Sequence, residues 1–314
     1  MKYGYFDLEH KEYVITDPQT PVKWINYIGT RDFGGFVDHT GGALICQDDP
    51  AFNRITKYIQ QMPSSDFKGE TLYLRIHTGD EYLVFSPFFV PTLHELDRFE
   101  CHIGLGYTRI VSRAYGLECC VTIFIPQNAR CEIRDIRIRN VSDRVLDVDV
   151  IPLVEYTHPD ALAQFTNADW IPQTMQSEAL LQQDGSIILL QYPFMYRDWK
   201  TNYFTSNYPA SSFETDRKKF LGANEYGSFR DPFSLHAPEL TNAVALRGDN
   251  IAALMHHLGE LAAGEEKSII TQLGQVENIS LTVDLTSRYK QVVRVEQELE
   301  KLSQFWHAYL ETLT

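Results

Sequence analysis

An antiparallel β-sandwich followed by one long carboxy-terminal helix is the fold this sequence predicts. Two patterns carry that expectation. Over most of the chain apolar residues recur with period two, in short β-branched and aromatic runs separated by turn signals. From Leu285 onward the period changes to steps of three and four.

The runs fall in order at residues 54–59, 71–77, 81–85, 107–111, 117–125 and 135–140. Gly79, Gly116 and the Asn140–Asp143 stretch punctuate them. Two runs alternate cleanly: Ile136 and Ile138 against Arg137 and Arg139, then Leu146, Val148 and Val150 against Asp147 and Asp149. Such half-wet strands belong to antiparallel sheets with one solvated face. Residues 183–186 between two apolar runs read as a hairpin turn. Strands spaced by roughly 8–12 residues without intervening helices suit a sandwich, not parallel βαβ units.

Two stretches break the rhythm. Residues 157–177 are polar and aromatic, bounded by Pro159 and Pro172, and longer than most connections. Such loops are functional or disordered, and the aromatic content argues for order. Residues 202–230 are similarly mixed, with one helical turn expected within 214–221. At the end, Leu285, Tyr289, Val292, Val295, Leu299, Leu302, Trp306, Tyr309 and Leu313 make one stripe along a single amphipathic helix, with Asp284 as its cap. A stripe of that length needs a surface to lie against. The chain thus divides into a β domain at 1–280 and a helical segment at 281–314.

Charge narrows the partners. Asp plus Glu number 42 against 28 Lys plus Arg, a formal charge of −14. Binding a polyanion needs a surplus of cations, so nucleic acid and anionic membranes are excluded as general partners, whereas a neutral sugar meets no such field. No apolar run approaches the roughly 18 residues of a membrane span. The first residues lack the apolar core of a secretory signal, which makes a cytoplasmic location the expectation. The 5 cysteines show no C-x-x-C spacing and read as reduced, mostly buried thiols. His256 and His257 point to opposite sides of a strand, and no convergent set of three or four ligands is visible, so no metal is expected. Neither G-x-G-x-x-G nor G-x-x-x-x-G-K-[ST] occurs, and no cofactor is expected.

Candidate sites come with a plain structural reading beside the functional one. Glycines at 34, 35, 41 and 42 enclose Asp38, His39 and Thr40. Glycine permits close backbone approach to a ligand, and equally fits a hairpin or bulge. On the long loop Asp160, Gln164, Asn167, Asp169 and Trp170 are candidates to touch a sugar. Surface solvation or turn capping explains the two acids equally. Trp170 and Phe165 either stack on a sugar face or pin the loop to the sandwich, as large aromatics usually do.

The order of short blocks along the chain resembles the amino terminus of the inverting disaccharide phosphorylases of glycoside hydrolase family 94, formerly glycosyltransferase family 36. The blocks are Tyr3-Gly-Tyr-Phe-Asp7, Glu12-Tyr-Val-Ile-Thr16, residues 21–29, Thr40-Gly-Gly42, Arg54-Ile-Thr-Lys57, residues 102–107, Phe124-Ile-Pro126, Val154-Glu-Tyr156, residues 213–217, Phe220-Leu-Gly222 and residues 269–274. The resemblance implies a galactose-mutarotase-like super-sandwich, then linker helices, an (α/α)6 catalytic barrel and a small carboxy-terminal β domain. In such enzymes phosphate attacks the anomeric carbon with inversion, and one barrel Asp protonates the departing oxygen. Phosphate is a co-substrate, and no organic cofactor takes part. The match ends with the helix at 281–314, so no catalytic residue is expected on this chain. Its expected partners are a β-linked gluco-disaccharide or oligosaccharide, its own barrel domain and a second subunit, with the 157–177 loop reaching towards the neighbour's active-site mouth. The sequence around 33–39 departs from the aromatic pattern of cellobiose phosphorylases, which leaves laminaribiose or another β-glucoside as substrate. The competing reading is a stand-alone carbohydrate-binding or interaction module without catalysis.

Overall fold

The computed structural model describes residues 3–197, 199–222, 227–278, 280 and 282–312. The first strands are β1 (Gly4–Asp7), β2 (Glu12–Ile15), β3 (Ile25–Gly29), β4 (Phe33–Asp38) and β5 (Ala43–Gln47). Then come β6 (Glu70–Thr78), β7 (Glu81–Phe85), β8 (Arg98–Ile103), β9 (Tyr107–Ala114), β10 (Leu117–Phe124), β11 (Cys131–Asn140) and β12 (Leu146–Glu155). The last are β13 (Met175–Leu181), β14 (Ile187–Pro193), β15 (Thr201–Ser206), β16 (Ser212–Asp216), β17 (Asn250–Leu261) and β18 (Glu266–Val276). They form a 10-stranded sheet in the order β1-β2-β8-β9-β10-β11-β18-β15-β14-β13, a 5-stranded sheet β16-β17-β12-β6-β7 and a 3-stranded sheet β3-β4-β5. Every ladder between strands is antiparallel, as the period-two patterning predicts.

Alternation along each strand decides which residues enter which layer. Between the two large sheets lies the main core, with Val121, Ile136, Ile138, Leu189 and Leu273 from one and Leu72, Leu74, Ile76, Val148 and Leu254 from the other. The small sheet adds Ile28, Phe33, Val37 and Ile45 to that core. A second core covers the opposite face of the 5-stranded sheet, where Tyr73, Ile151, Leu153 and Met255 meet Phe220, Phe229 and Leu235. The crossing segment begins with one helical turn, α2 (Arg217–Leu221), inside the stretch where the sequence predicts one.

A third core answers the question the terminal stripe raises. The tail is two helices, α3 (Thr282–Ser287) and α4 (Val292–Glu311). Val295 and Leu302 are buried against Ile133, Ile188, Leu190 and Ile270 on the outer face of the 10-stranded sheet. Gly106, with φ +80°, leaves room for the Trp306 indole, whose Nε1 would lie 2.6 Å from any added Cβ. Arg137 on β11 donates to Glu296 at 2.7 Å. The helix therefore already has a partner within this chain. Asp284 lies inside α3, and α4 starts from Gln291 without a side-chain cap. A chain turn between the two helices, invisible in the hydrophobic period, separates them.

Two further expectations change. Residues 54–59 form no strand; Arg54 and Thr56 make isolated bridges to Cys46 and Tyr156. Asp149 is not on a solvated face: it is 1% exposed, beneath the second core's crossing segment. The alternation on β12 is real, but the outer face of the 5-stranded sheet is covered from Asp149 onward, while Asp147 before it stays 44% exposed.

Candidate functional site

The long loop is ordered by its own side chains. Helix α1 (Ala161–Thr166) starts at Asp160, whose Oδ1 accepts from the Ala163 amide at 2.7 Å, the standard means of satisfying an orphan donor at a helix start. Gln164 reaches back, its Oε1 accepting from Thr157 Oγ1 at 2.7 Å and from the His158 amide at 2.5 Å. A 3-10 turn at Ile171–Thr174, with Pro172 in its first turn, leads into β13. Ala161, Ile171 and Met175 supply the buried anchors. Asp160 and Gln164 thus act on the loop itself.

Asp169 and Trp170 are exposed, and Asn167, also exposed, turns its amide back onto α1, donating to Ala163 O at 3.3 Å and to Thr166 Oγ1 at 3.1 Å. Trp170 is 53% exposed and Phe165 61%, so about half of each ring faces solvent. The loop is joined to the neighbouring 49–54 turn, where the Leu162 amide donates to Ala51 O at 3.3 Å, and that turn is joined to Lys200, whose Nζ donates to Phe52 O at 2.9 Å. Those neighbours carry exposed aromatics of their own, Phe52 and Trp199. The result is a rim on which amide and carboxylate groups alternate with open ring faces.

Next to Phe52, Asn53 begins a buried ladder of amides. Asn53 and Gln275 exchange two hydrogen bonds at 2.8 and 3.0 Å, Gln275 donates on to Asn202 at 2.8 Å, and Asn202 to Gln191 at 2.8 Å. Gln191 Nε2 and Asn250 Oδ1 find no protein partner. Burial holds His158, at the root of the loop, below the usual imidazole range, so it stays neutral.

Asp38 and His39 stand in a different setting. Both are buried at the end of β4, within the 3-stranded sheet that the hairpin reading of the glycines predicts. Asp38 accepts from the Thr40 amide and hydroxyl, each at 2.8 Å, and from Tyr58 OH at 3.0 Å, with Lys23 Nζ 3.5 Å away. His39 Nδ1 accepts from the Trp24 amide, and its Nε2 meets Pro18 O and Thr20 Oγ1, each at 3.0 Å. Gly41, φ +78°, has the Phe88 ring where a Cβ would sit, 2.5 Å away. These contacts fold the turn and leave no polar face open to a ligand. Desolvation works against the Asp38 carboxylate, but Lys23, His39 and Thr40 together hold it below the usual range.

Phe52 and Trp199 escape the sequence reading because nothing in their neighbourhood marks them; only the fold brings them beside residues 157–174. His77, Asp149 and His257 also converge, from three different strands. Two of them sit in runs that read as ordinary alternating strand.

Large antiparallel sheets packed face to face, one of them backed by a helix, define a supersandwich. The chain belongs to the family described as "Glycosyl hydrolase 94, supersandwich domain", which matches residues 11–292. Among its relatives, N,N'-diacetylchitobiose phosphorylase of Vibrio proteolyticus is 29% identical over 271 residues, covering 85% of this chain and 32% of the relative. The enzyme of the same name from Vibrio furnissii is 27% identical over 312 residues, 98% of this chain and 37% of the relative. Solabiose phosphorylase of Paenibacillus borealis is 25% identical over 304 residues, 96% of this chain and 38% of the relative. The chain spans about a third of the length of these relatives.

Proposed function

We propose that this chain serves as the amino-terminal, sugar-contacting and dimer-forming domain of a cytoplasmic inverting disaccharide phosphorylase, and that bond breaking is carried by a helical barrel joined to it. The observation that carries the reading is the rim at 157–174. Asp160, Gln164 and Asn167 hold it in shape while Asp169, Trp170 and Phe165 are left exposed. Sugars are recognised by that pairing, ring faces against C–H surfaces and polar groups against hydroxyls. The far side of α4, with Val293, Phe305, Tyr309 and Leu310 exposed, is a further apolar surface suited to a helical neighbour. A net charge of −14 makes this domain a poor cradle for phosphate, which fits a phosphate site elsewhere. The substrate class in this reading is a β-linked gluco-disaccharide, laminaribiose or another β-glucoside, given the departure of residues 33–39 from the cellobiose pattern.

Two assays test this. The 314-residue chain, incubated with phosphate and β-linked glucobioses, is expected to release no glucose 1-phosphate. In the polypeptide that joins this domain to a barrel, Trp170→Ala is expected to raise KM for the disaccharide several-fold. Release of sugar phosphate by the chain alone, or an unchanged KM in that variant, overturns the proposal.

A further inference from the structure

We propose that His77, Asp149 and His257 form a binding site for one zinc ion on the outer face of the 5-stranded sheet. The site stands on its own residues and is independent of the phosphorylase reading.

The strands bring the three groups together by register. Asp149 on β12 pairs with Arg75 on β6 and with His257 on β17. A bulge at Val148/Asp149 leaves Leu258 as the extra residue, since Val148 pairs with Gly259 and Asp149 with His257. Bulges re-aim side chains, and here the effect is to set His257 beside Asp149 while His256 is buried on the inner side. His77, two residues beyond Arg75, shares the same face. His77 Nε2 lies 2.6 Å from Asp149 Oδ2, and His257 Nδ1 lies 2.5 Å from Asp149 Oδ1. One ligand atom from each residue falls within 4.8 Å of the other two.

His257 is engaged at both ring nitrogens. His257 Nε2 lies 2.8 Å from Glu239 Oε1, and His77 Nδ1 lies 3.6 Å from Asp147 Oδ2. His257 therefore has a carboxylate within hydrogen-bond distance of both nitrogens, whereas Asp147 lies beyond that distance from His77. A neutral imidazole has one N–H, so it serves only one of two carboxylates and turns a lone pair on the other. Two arrangements remove that conflict: a doubly protonated His257, or a cation at the inner nitrogens with the outer N–H of His257 held by Glu239. The second is the carboxylate–histidine–metal pattern that orients ligating histidines in metal sites.

Charge points the same way. Asp147, Asp149 and Glu239 contribute three negative charges, and Arg75 is the cation in contact with them. The balance of two negative charges with neutral rings equals one divalent ion. Arg75 does not consume the site: it gives Asp149 Oδ2 one contact at 2.6 Å and spends its other donors on the carbonyls of Leu235, Ala237 and Pro238. Asp149 Oδ1 remains for a metal. With metal–ligand distances of about 2.0–2.2 Å the rings must draw back by about 1 Å, and both side chains are partly exposed, 28% for His77 and 37% for His257. Two imidazoles and one carboxylate suit zinc; calcium and magnesium prefer all-oxygen sets.

The test uses the untagged chain, stripped with a chelator, and zinc chloride as the probe at pH 7.5. Calorimetry is expected to show one equivalent bound, and zinc to raise the melting temperature. His77→Ala and His257→Ala are each expected to weaken binding by about a hundredfold or more, and Glu239→Gln by about tenfold. Calcium chloride is the control and gives no saturable heat. Both histidines are at the surface, and circular dichroism confirms that the variants are folded. Absence of a one-to-one zinc isotherm, or one that survives both histidine substitutions unchanged, overturns the site and leaves a protonated His257 between Asp149 and Glu239 as the account of the cluster.

Discussion

The turn at Asp38 and the rim at Asp169 look alike in sequence, a short acidic stretch among aromatics, and the fold treats them in opposite ways. At Asp38 the chain closes a hairpin, glycines let neighbouring strands approach, and the carboxylate ends inside with a full set of donors. At Asp169 the chain leaves the sandwich, and the acid and its neighbour Trp170 face solvent. A polar residue enclosed by glycines is a candidate for internal bracing; one flanked by Pro and open aromatics is a candidate for contact. The contrast has measurable consequences.

The largest is stability at Asp38. Asp38→Ala leaves the Lys23 ammonium buried without its anion and strands Tyr58 OH and the Thr40 hydroxyl. Breaking a buried pair by removing one partner costs about 3–5 kcal/mol. Asp169→Ala, by comparison, is expected to stay within about 0.5 kcal/mol. Chemical denaturation of the two variants side by side checks the difference; equal losses would erase the distinction between the regions.

Acid comes next. Burial holds His39 low and pushes His256 down to about 4. Below the ordinary imidazole value near 6.5 the unfolded chain takes up protons that the folded chain refuses, so folding stability falls as pH drops from about 6.5 towards 4. For His256 the loss reaches roughly 3 kcal/mol across that window. Glu70 works in the opposite sense. Burial and the neighbouring Glu132 raise its pKa well above the carboxylate range despite Arg134, so its contribution fades as pH rises above about 4.5. The measurement is therefore the difference between the wild type and His256→Gln, whose stabilities are expected to converge towards acid pH. A constant difference from pH 8 to pH 4 would remove His256 as the source.

Much of this molecule was legible before the fold was known. Strands such as β7, β9 and β10 follow from alternation between turn residues, and the hairpin of β13 and β14 from its polar tip. Sequence alternation reports which side of a strand is polar, but not what covers that side. Asp149 was misplaced for that reason: the crossing segment that buries it lies far along the chain. The same gap hid the zinc-type cluster, whose members come from β6, β12 and β17 and converge through a bulge that no local pattern announces. The tail helix shows the converse. Its stripe was evident, and what it lies against, the outer face of the 10-stranded sheet, is a property of topology.

A smaller effect separates residues within the rim itself. Asp160→Ala removes the cap of α1 and is expected to cost about 1 kcal/mol, confined to the loop. Faster hydrogen exchange at the Ala163 and Gln164 amides, with little change at the Asp38 turn, is the expected signature. A global loss of protection would instead tie the loop to the sandwich core.

The smallest structural effect, and the most informative about function, is expected at Trp170. Its ring is 53% exposed, and the buried contacts that fix the loop come from Ala161, Ile171 and Met175. Truncating it to Ala removes a ring about half of which is already in water, so the loss of stability should be a small fraction of the roughly 3–5 kcal/mol that truncating a buried aromatic costs. If the ring stacks on a sugar, the same change removes a contact made in the bound complex and weakens disaccharide binding several-fold at unchanged melting temperature. If the ring holds the loop, melting temperature falls and the folded fraction binds normally. Melting and binding measured on one preparation of Trp170→Ala distinguish these outcomes. Asp38→Ala is the control with the opposite expectation, a large loss of stability and, in whatever fraction remains folded, no change at the rim.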